Sequence, residues 1–562
     1  MELRNMFLWA ALGLILMLMY QQWQVDYGPQ PVATSSQSQS ADTSASNNGA
    51  PSAPVQRPST PGAPVAGSSD SPASLIQPAF ASEKRIRVRT DVLDIELDTR
   101  GGDIRQALLP KYPVAVDKPD EPFRLMGEGG DSFIAQSGLV AGGAEMSAPN
   151  HHAVYTTSQN EYSLADGSDR LEVVMSWQSQ DGLQVNKTYT FQRGSYLIDI
   201  RFDVVNNTGK GWQGYMYRQL QRSEVETEGG IGMLPTYTGG VYSGYDKGIG
   251  ENVPYEKWDF DDMEEKDLNR HLTGGWTAMI QHYFLVAMIP GQEEKNRFYS
   301  LKTEGNRYAI GMIEDEQHRI ASGTQDSFGY KMLIGPKDQD MMEAIAPNLQ
   351  LTVDYGFTTI IAEPLFWVLK WIYSLVGNWG WAIVVMTILL KAAFYKLQAK
   401  SFHSMAKMRK LTPRIQQLKD RYGDDKQKLQ QAMMEMWKTE KVNPMSGCLP
   451  VLIQMPIFLA FYWVLLESVE LRQADWILWY ADLSIRDPYY VLPILMGVSM
   501  FIQFKLNPAP ADPIQAKVMM FMPVMLSVLF FFFPAGLVLY WTVNNILQII
   551  QQYIITKRLG AI

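Results

Sequence analysis

The apolar residues of this chain are not spread along it. They gather in one run at the N-terminus and in a series of runs over the last third. A helix needs about 20 apolar residues to cross a hydrocarbon core, and within that core its backbone polar groups must be satisfied internally. This segregation constrains the fold more than the averages do: 46% apolar and 19% charged residues would by themselves pass for a soluble protein. The pattern reads as a multi-pass α-helical membrane protein with a large soluble insert.

The first run, Met6 to Tyr20, follows Glu2 and Arg4 and closes at Trp23. A cleaved signal peptide and a retained anchor both fit its length. No A-x-A-like small-residue site follows it and no cysteine stands there to carry a lipid, which favours the anchor. Residues 1–5 are then inside, and 6–24 form a transmembrane anchor with Trp23 at the outer interface. Residues 25–80 are rich in Pro, Ser, Ala, Gln and Gly. Such a segment buries too little apolar surface to offset its ordering entropy and is expected to be a flexible linker.

The pattern changes to period two over residues 81–355. Ile86 and Val88 are followed by Leu93, Ile95 and Leu97, closed by Arg100-Gly-Gly-Asp. Val185–Phe191 and Tyr196–Val204 flank Arg193-Gly194-Ser195. Alternation with hairpin punctuation over this length predicts a large antiparallel β-sandwich, with a short helix near Phe260–Leu268. His151 and His152 are adjacent, but no cysteine or carboxylate spacing completes a metal site, and no nucleotide or hydrolase motif occurs. No cofactor, metal or catalytic residue is expected. The single cysteine, Cys448, allows no internal disulfide, so an exported domain would rest on its core alone. A scaffold role and a cleft for sugar or peptide both remain open for this domain.

Beyond it, residues 360–376 carry Glu363, Lys370 and several aromatics among apolar positions, the pattern of an interfacial amphipathic helix. Transmembrane spans are expected at 378–397, 445–467, 488–506, 518–533 and 537–556, making six with the anchor. Lys and Arg gather in 398–443, around 507–517 and in the tail 557–562, whereas 468–487 is poor in them. The positive-inside rule places the basic segments and both termini in the cytoplasm, 468–487 and the β domain in the periplasm. Segment 398–443 has its own order: an apolar stripe from Phe402 to Tyr422 with a kink at Pro413, a turn at Gly423–Asp425, and a second helix bearing Leu429, Met433 and Met436. It predicts a helical hairpin. Its Lys407, Arg409, Lys410, Arg414, Lys419 and Arg421 either form a solvated positive face or dock ribosomal RNA or anionic phospholipid heads.

Polar residues interrupt the spans. Lys391 stands in an apolar helix at a cost of roughly 2.5–3.5 kcal/mol on insertion scales, with Thr387 and Tyr395 four residues to either side. It either snorkels to the nearby interface or faces a wet interior. Asn545, Gln548 and Gln552 share one face of the last span, with Asn544 beside them, and Gln503 and Gln454 lie in others. Amides on several helices point to a polar cavity inside the bundle.

Several stretches resemble one family. Lys441-Val-Asn-Pro-Met-Ser-Gly-Cys-Leu-Pro-Val-Leu-Ile-Gln-Met-Pro-Ile-Phe458, Met405–Arg409, Ser468–Arg472, Asp487–Gly497 and Phe533–Tyr540 resemble the signatures of the YidC/Oxa/Alb insertases. Gly274–Phe284 is similar to the periplasmic domain of the Gram-negative members. The resemblance implies five core helices around a hydrophilic groove and a chaperone activity that inserts and folds nascent membrane proteins, alone or beside the SecYEG translocon and its associated SecDF. It also implies the ribosome and the signal-recognition receptor as partners, with no cofactor and no small-molecule substrate. Carried over residue by residue, the groove cation is Lys391 with Thr387, Gln503 and Trp541 nearby, alongside Asn545 and Gln548 from the polar face. An apolar slide comprises Met455, Pro456, Phe458, Leu529 and Phe530. The family usually has arginine at the position of Lys391; lysine keeps the charge and loses the bidentate fork. Only Lys557 and Arg558 follow the last span, so the hairpin is expected to carry more of any ribosome contact. A transporter or channel with a sugar-binding periplasmic domain is the alternative, against which no inverted repeat is found; a membrane-tethered sugar enzyme lacks a catalytic constellation.

Overall fold

The computed structural model describes residues 82–143, 146–224, 236–248, 250–303, 306–423, 425–440, 442, 449–507 and 513–560. The expected anchor and linker, most of the Lys441–Cys448 stretch and part of the 507–517 loop lie outside these residues.

Eighteen strands are described between Arg85 and Pro336, and a single hydrogen-bonded network joins them. All pairings are antiparallel except Arg85–Arg89 with Glu161–Ser163. The strand Leu197–Asn206 shows why the alternation succeeds: Ile198, Ile200, Phe202 and Val204 turn into the core while their neighbours face outward. It sits between Leu183–Gln192, reached through the turn at Gly194, and Thr324–Pro336. The network branches, and bulges such as those at Glu96/Leu97 and Tyr242/Gly244 bend strands from one layer toward the other. The expected sandwich is thereby joined at its edges into a near-barrel. The predicted short helix is α1 (Phe260–Glu265), started by an Asp259 capping box and stopped at the extended Lys266. A second, α2 (Gln339–Ile345), follows the last strand.

One bulge depends on glycine. Gly275 has φ +73°, and a Cβ there would lie 1.9 Å from the Ser243 carbonyl oxygen on the neighbouring strand. Only a residue without a side chain allows the two backbones this approach.

Eight longer helices follow: α3 (Thr359–Val376), α4 (Trp379–Ala393), α5 (Tyr395–Tyr422), α6 (Lys426–Thr439), α7 (Leu449–Glu467), α8 (Val491–Leu506), α9 (Pro513–Leu529) and α10 (Ala535–Arg558). Helix α3 ends at the left-handed Gly377, and Asn378 caps α4 by accepting from Trp381 N at 3.1 Å. Tyr373 stacks on Trp379 across this turn. The span expected over 378–397 is not one helix: it stops at Ala393, and α5 leaves at 67° to it. Tyr395 is therefore not on the face of Lys391, and it is exposed. Pro413 sits inside an uninterrupted α5; the sharp change of direction is at Phe394 instead.

By length and composition, one described helix could cross a membrane alone: Gly356–Val376, the segment expected to lie in the interface. It buries Ala362, Leu365, Phe366, Leu369 and Ile372 on one face and exposes Trp367 and Trp371 on the other. Shorter apolar helices lie at Gln454–Glu467, Val491–Leu506 and Met520–Phe532, and α4 with α5 passes only as a bent pair.

The two regions share one contiguous apolar core that runs from Ile86 to Tyr540. Their junction also holds a buried ion pair: Lys337 Nζ lies 3.0 Å from Glu467 Oε2, and both side chains are shut from solvent. His282 Nε2 meets the Leu466 carbonyl at 2.7 Å. Arg472 donates to the Pro113 carbonyl at 2.7 Å and lies over the rings of Phe123 and Phe284.

Candidate functional site

Three helices bring amides together. A cavity of about 220 Å³ is lined by Gln454 and Met455 of α7, Gln503 of α8, and Trp541, Asn545 and Gln548 of α10. The spacing of the last three along α10 puts them on one stripe. Asn545 donates to Ser499 Oγ at 3.3 Å, and Gln454 donates to the Tyr540 hydroxyl. The Trp541 indole N–H is buried with no hydrogen-bond partner among the described residues.

Lys391 does not line this cavity but stands one contact away. Its Nζ donates to Gln548 Oε1 at 3.3 Å and to Gln398 Oε1 at 3.4 Å. It is 8% exposed and makes no ion pair with any described residue. A buried ammonium held only by neutral amide oxygens keeps an unbalanced charge, since amide dipoles solvate a cation without neutralising it. Gln398 had no place in the sequence-based site. On a continuous helix it would lie two turns beyond Lys391; the break at Phe394 folds it back onto the ammonium. Ser499 was missed as well.

Thr387, expected in the groove, is buried and spends its hydroxyl on the Ile383 carbonyl at 2.7 Å. It does not line the cavity, and its hydroxyl bonds back one turn as threonine inside a helix does. The slide residues divide. Met455 and Pro456 are exposed on α7, Leu529 and Phe458 are half-buried, and Phe530 is buried. Phe530 is turned inward by the 3₁₀ turn Phe530–Phe532 that ends α9. Phe458, Phe530 and Trp541 instead form an aromatic cluster with centroids 4.5–6.3 Å apart. The exposed apolar face of α9 is made by Phe521, Val524, Met525 and Val528.

On the hairpin of α5 and α6, Lys407, Lys410, Arg414 and Arg421 face solvent. Arg414 pairs with Glu440 across the hairpin at 2.5 Å. Lys419 is half-buried. Arg409 is also half-buried and donates to the Leu506 carbonyl at 3.5 Å, so it braces α5 against the end of α8 rather than standing free.

In the β domain His151 is buried against the Tyr217 hydroxyl at 2.6 Å. No described cluster of His, Cys, Asp and Glu could hold a metal. Lys187 and Asp103 are fully buried; burial pushes the Asp103 carboxyl up to about 6 and the Lys187 ammonium down to about 8. Lys187 is held by the Gly101 and Ser137 carbonyls and Asp103 by Gln136 and Arg105, so this network locks strands together. A surface cleft of about 500 Å³ carries Arg170, Arg201 and Lys331, and both arginines are paired with neighbouring carboxylates.

The molecule is thus an integral membrane protein with a large β-rich domain, whose helices enclose amides and a cation. Two family models match the chain: the YidC periplasmic domain over residues 85–368 and the 60Kd inner membrane protein over 371–561. A membrane protein insertase YidC of Thioalkalivibrio sulfidiphilus is 50% identical over 98% of both chains. That of Methylococcus capsulatus is 46% identical over 96% of this chain and 95% of its own. A solved YidC insertase, with its first transmembrane domain resolved, aligns at TM-score 0.38 and 20% identity over 84% of this chain and 93% of that one. The chain belongs to the YidC family of membrane protein insertases. It is an inner-membrane protein with a periplasmic β-rich domain, and an insertase rather than an enzyme.

Proposed function

We propose that the chain inserts its clients through the amide-lined cavity and the Lys391 ammonium behind it. A polar, preferably acidic, segment of a nascent membrane protein enters beside α7, α8 and α10. There the amides replace part of its hydration, and its carboxylates supply Lys391 with the counter-charge that no described carboxylate supplies. Apolar client segments then leave along the exposed Met455–Pro456 face of α7 and the outer face of α9 into lipid, where burial of apolar surface drives partition. The observation that carries this reading is the buried ammonium held only by the oxygens of Gln398 and Gln548. Six spans with both termini cytoplasmic, five of them around the groove, complete the arrangement. The exposed lysines and arginines of the α5–α6 hairpin face the ribosome, the signal-recognition receptor or anionic phospholipids; SecYEG with SecDF is the partner for clients that need a translocon.

The test is insertion of a short, acid-tailed, single-span client into vesicles. Lys391→Ala should reduce insertion at least tenfold while Lys391→Arg stays near the parent chain. Normal insertion by the alanine variant would make Lys391 an interface anchor and defeat the groove mechanism.

A further inference from the structure

A cavity larger than the amide groove lies elsewhere among the described residues. It measures about 670 Å³, within the range of small-molecule and lipid sites. It lies where the β domain meets the ends of α7 and α9. The β domain contributes Val114–Asp117 and the His282-Tyr283 turn, and the helical region contributes Leu466, Arg472 and the 479–488 segment.

Three features of this cavity act together. Its charges are of both signs and only partly committed. Arg486 is exposed and makes no ion pair with any described residue, and Asp117 is likewise exposed and unpaired. Arg472 spends one nitrogen on the Pro113 carbonyl, while its Nη1 has no partner among the described residues. Asp482 binds Ser484 through Oδ1 at 2.6 and 2.8 Å. The mouth is apolar and aromatic. Trp479 and Ile485 of the lining are exposed, with Leu478, next in the chain, 81% exposed and Tyr489 packed edge-on against Trp479. Such residues on a connecting loop match the belt that sits at lipid headgroup level. The position is that of a membrane surface, since Phe532 and Pro534 between α9 and α10 form part of the wall.

We propose that this cavity holds the head group of a phospholipid of the periplasmic leaflet, with a phosphoethanolamine head. Its phosphate lies on Arg486, with the Arg472 guanidinium behind it, and its ammonium lies toward Asp117 and Asp482. The acyl chains leave past Leu478, Trp479 and Ile485 into the bilayer. A single bound lipid then touches both the β domain and the helical region and fixes the stance of one on the other. The inference rests on the β domain being periplasmic and is independent of the groove mechanism.

The experiment is native mass spectrometry of the full chain released from nonionic detergent, with phosphatidylethanolamine, phosphatidylglycerol or inorganic phosphate added. Phosphatidylethanolamine should be retained. Arg486→Gln should weaken its retention roughly tenfold, Asp117→Asn should bring it down to the level of phosphatidylglycerol, and Lys391→Ala should leave it unchanged. Both substituted side chains are exposed, so equal thermal midpoints will confirm intact folding. Unaltered retention in Arg486→Gln and Asp117→Asn would place the lipid elsewhere and overturn the proposal. Displacement of the lipid by millimolar inorganic phosphate would reduce the site to a simple anion pocket, and equal retention of phosphatidylglycerol by the parent chain would remove the ethanolamine from it.

Discussion

The charge cluster around Asp103 in the β domain and the Lys391 site in the helical region bury charge in opposite ways. In the β domain, Asp103 pairs with Arg105 and accepts from Gln136, and Lys187, whose charge Asp103 offsets, donates to the Gly101 and Ser137 carbonyls. In the helical region Lys391 and the Trp541 indole are left with neutral oxygens or with nothing. A satisfied network makes a rigid, specific scaffold. A half-satisfied one costs stability and is kept where something else is to be bound. On the proposed mechanism, the difference separates the part of the molecule that holds a shape from the part that handles clients.

The sharpest way to break that contrast is at Gly275. Gly275→Val should cost more than about 4 kcal/mol in the β domain, since a side chain there meets the Ser243 carbonyl and the backbone is left-handed. Limited proteolysis should show the β domain opened while α4–α10 stay protected. If the helices become labile too, the shared core couples the two regions into one cooperative unit.

Lys337→Met tests the junction. Removing one partner of a buried ion pair strands the other, at about 3–5 kcal/mol. Thermal unfolding in micelles should show a large loss, and adding Glu467→Leu should restore most of it. A double variant no better than the single one would mean that the pair contributes specific attraction beyond mutual neutralisation.

Glu470 gives a pH test in the same place. Burial, reinforced by Asp338 and Asp340 and opposed by its own backbone N–H and Lys370, raises its carboxyl to about 7 from 4.5. The folded chain therefore holds a proton that the unfolded chain has released between these values. The stability contributed is full below about 4.5 and is lost as pH rises through about 7, by about 3 kcal/mol in total. Denaturant midpoints measured across pH 4–8 should fall in the parent chain and lie flatter in Glu470→Gln. Parallel profiles would remove Glu470 as the cause.

At the small end stands Arg414→Ala. Its exposed pair with Glu440 is worth about 0–1 kcal/mol, so the unfolding midpoint should hardly move. A measurable change in ribosome binding without a change in stability would mark the hairpin face as a docking surface.

Much of this organisation is legible from residue pattern alone. Period-two runs such as Ile198–Val204 locate strands, and the apolar runs locate α7, α8 and α10 within a few residues. Of the stripe Asn545, Gln548 and Gln552, the first two line the cavity and Gln552 instead donates to the Leu506 carbonyl and Asn507. What escaped the sequence is long-range or depends on one bent residue. Lys337 and Glu467 are 130 residues apart, and each alone reads as an ordinary surface charge. Phe394 is apolar like its neighbours, so nothing in the run from Ala382 to Leu397 marks the break that carries Gln398 to Lys391. The resemblance places Phe530 on the slide, whereas its side chain is buried in the 3₁₀ turn that follows α9.

That break has a mechanical consequence. Helix α4 has 15 residues and α8 has 16, which at 1.5 Å per residue gives rises of about 22 and 24 Å. A hydrocarbon slab is about 30 Å thick. Lipid in contact with both ends of such helices must compress to match them, at a fraction of a kcal/mol per Å. The elastic strain is stored in the surrounding bilayer, outside the protein, and every ångström of compression shortens the oily path that a client's polar tail has to travel.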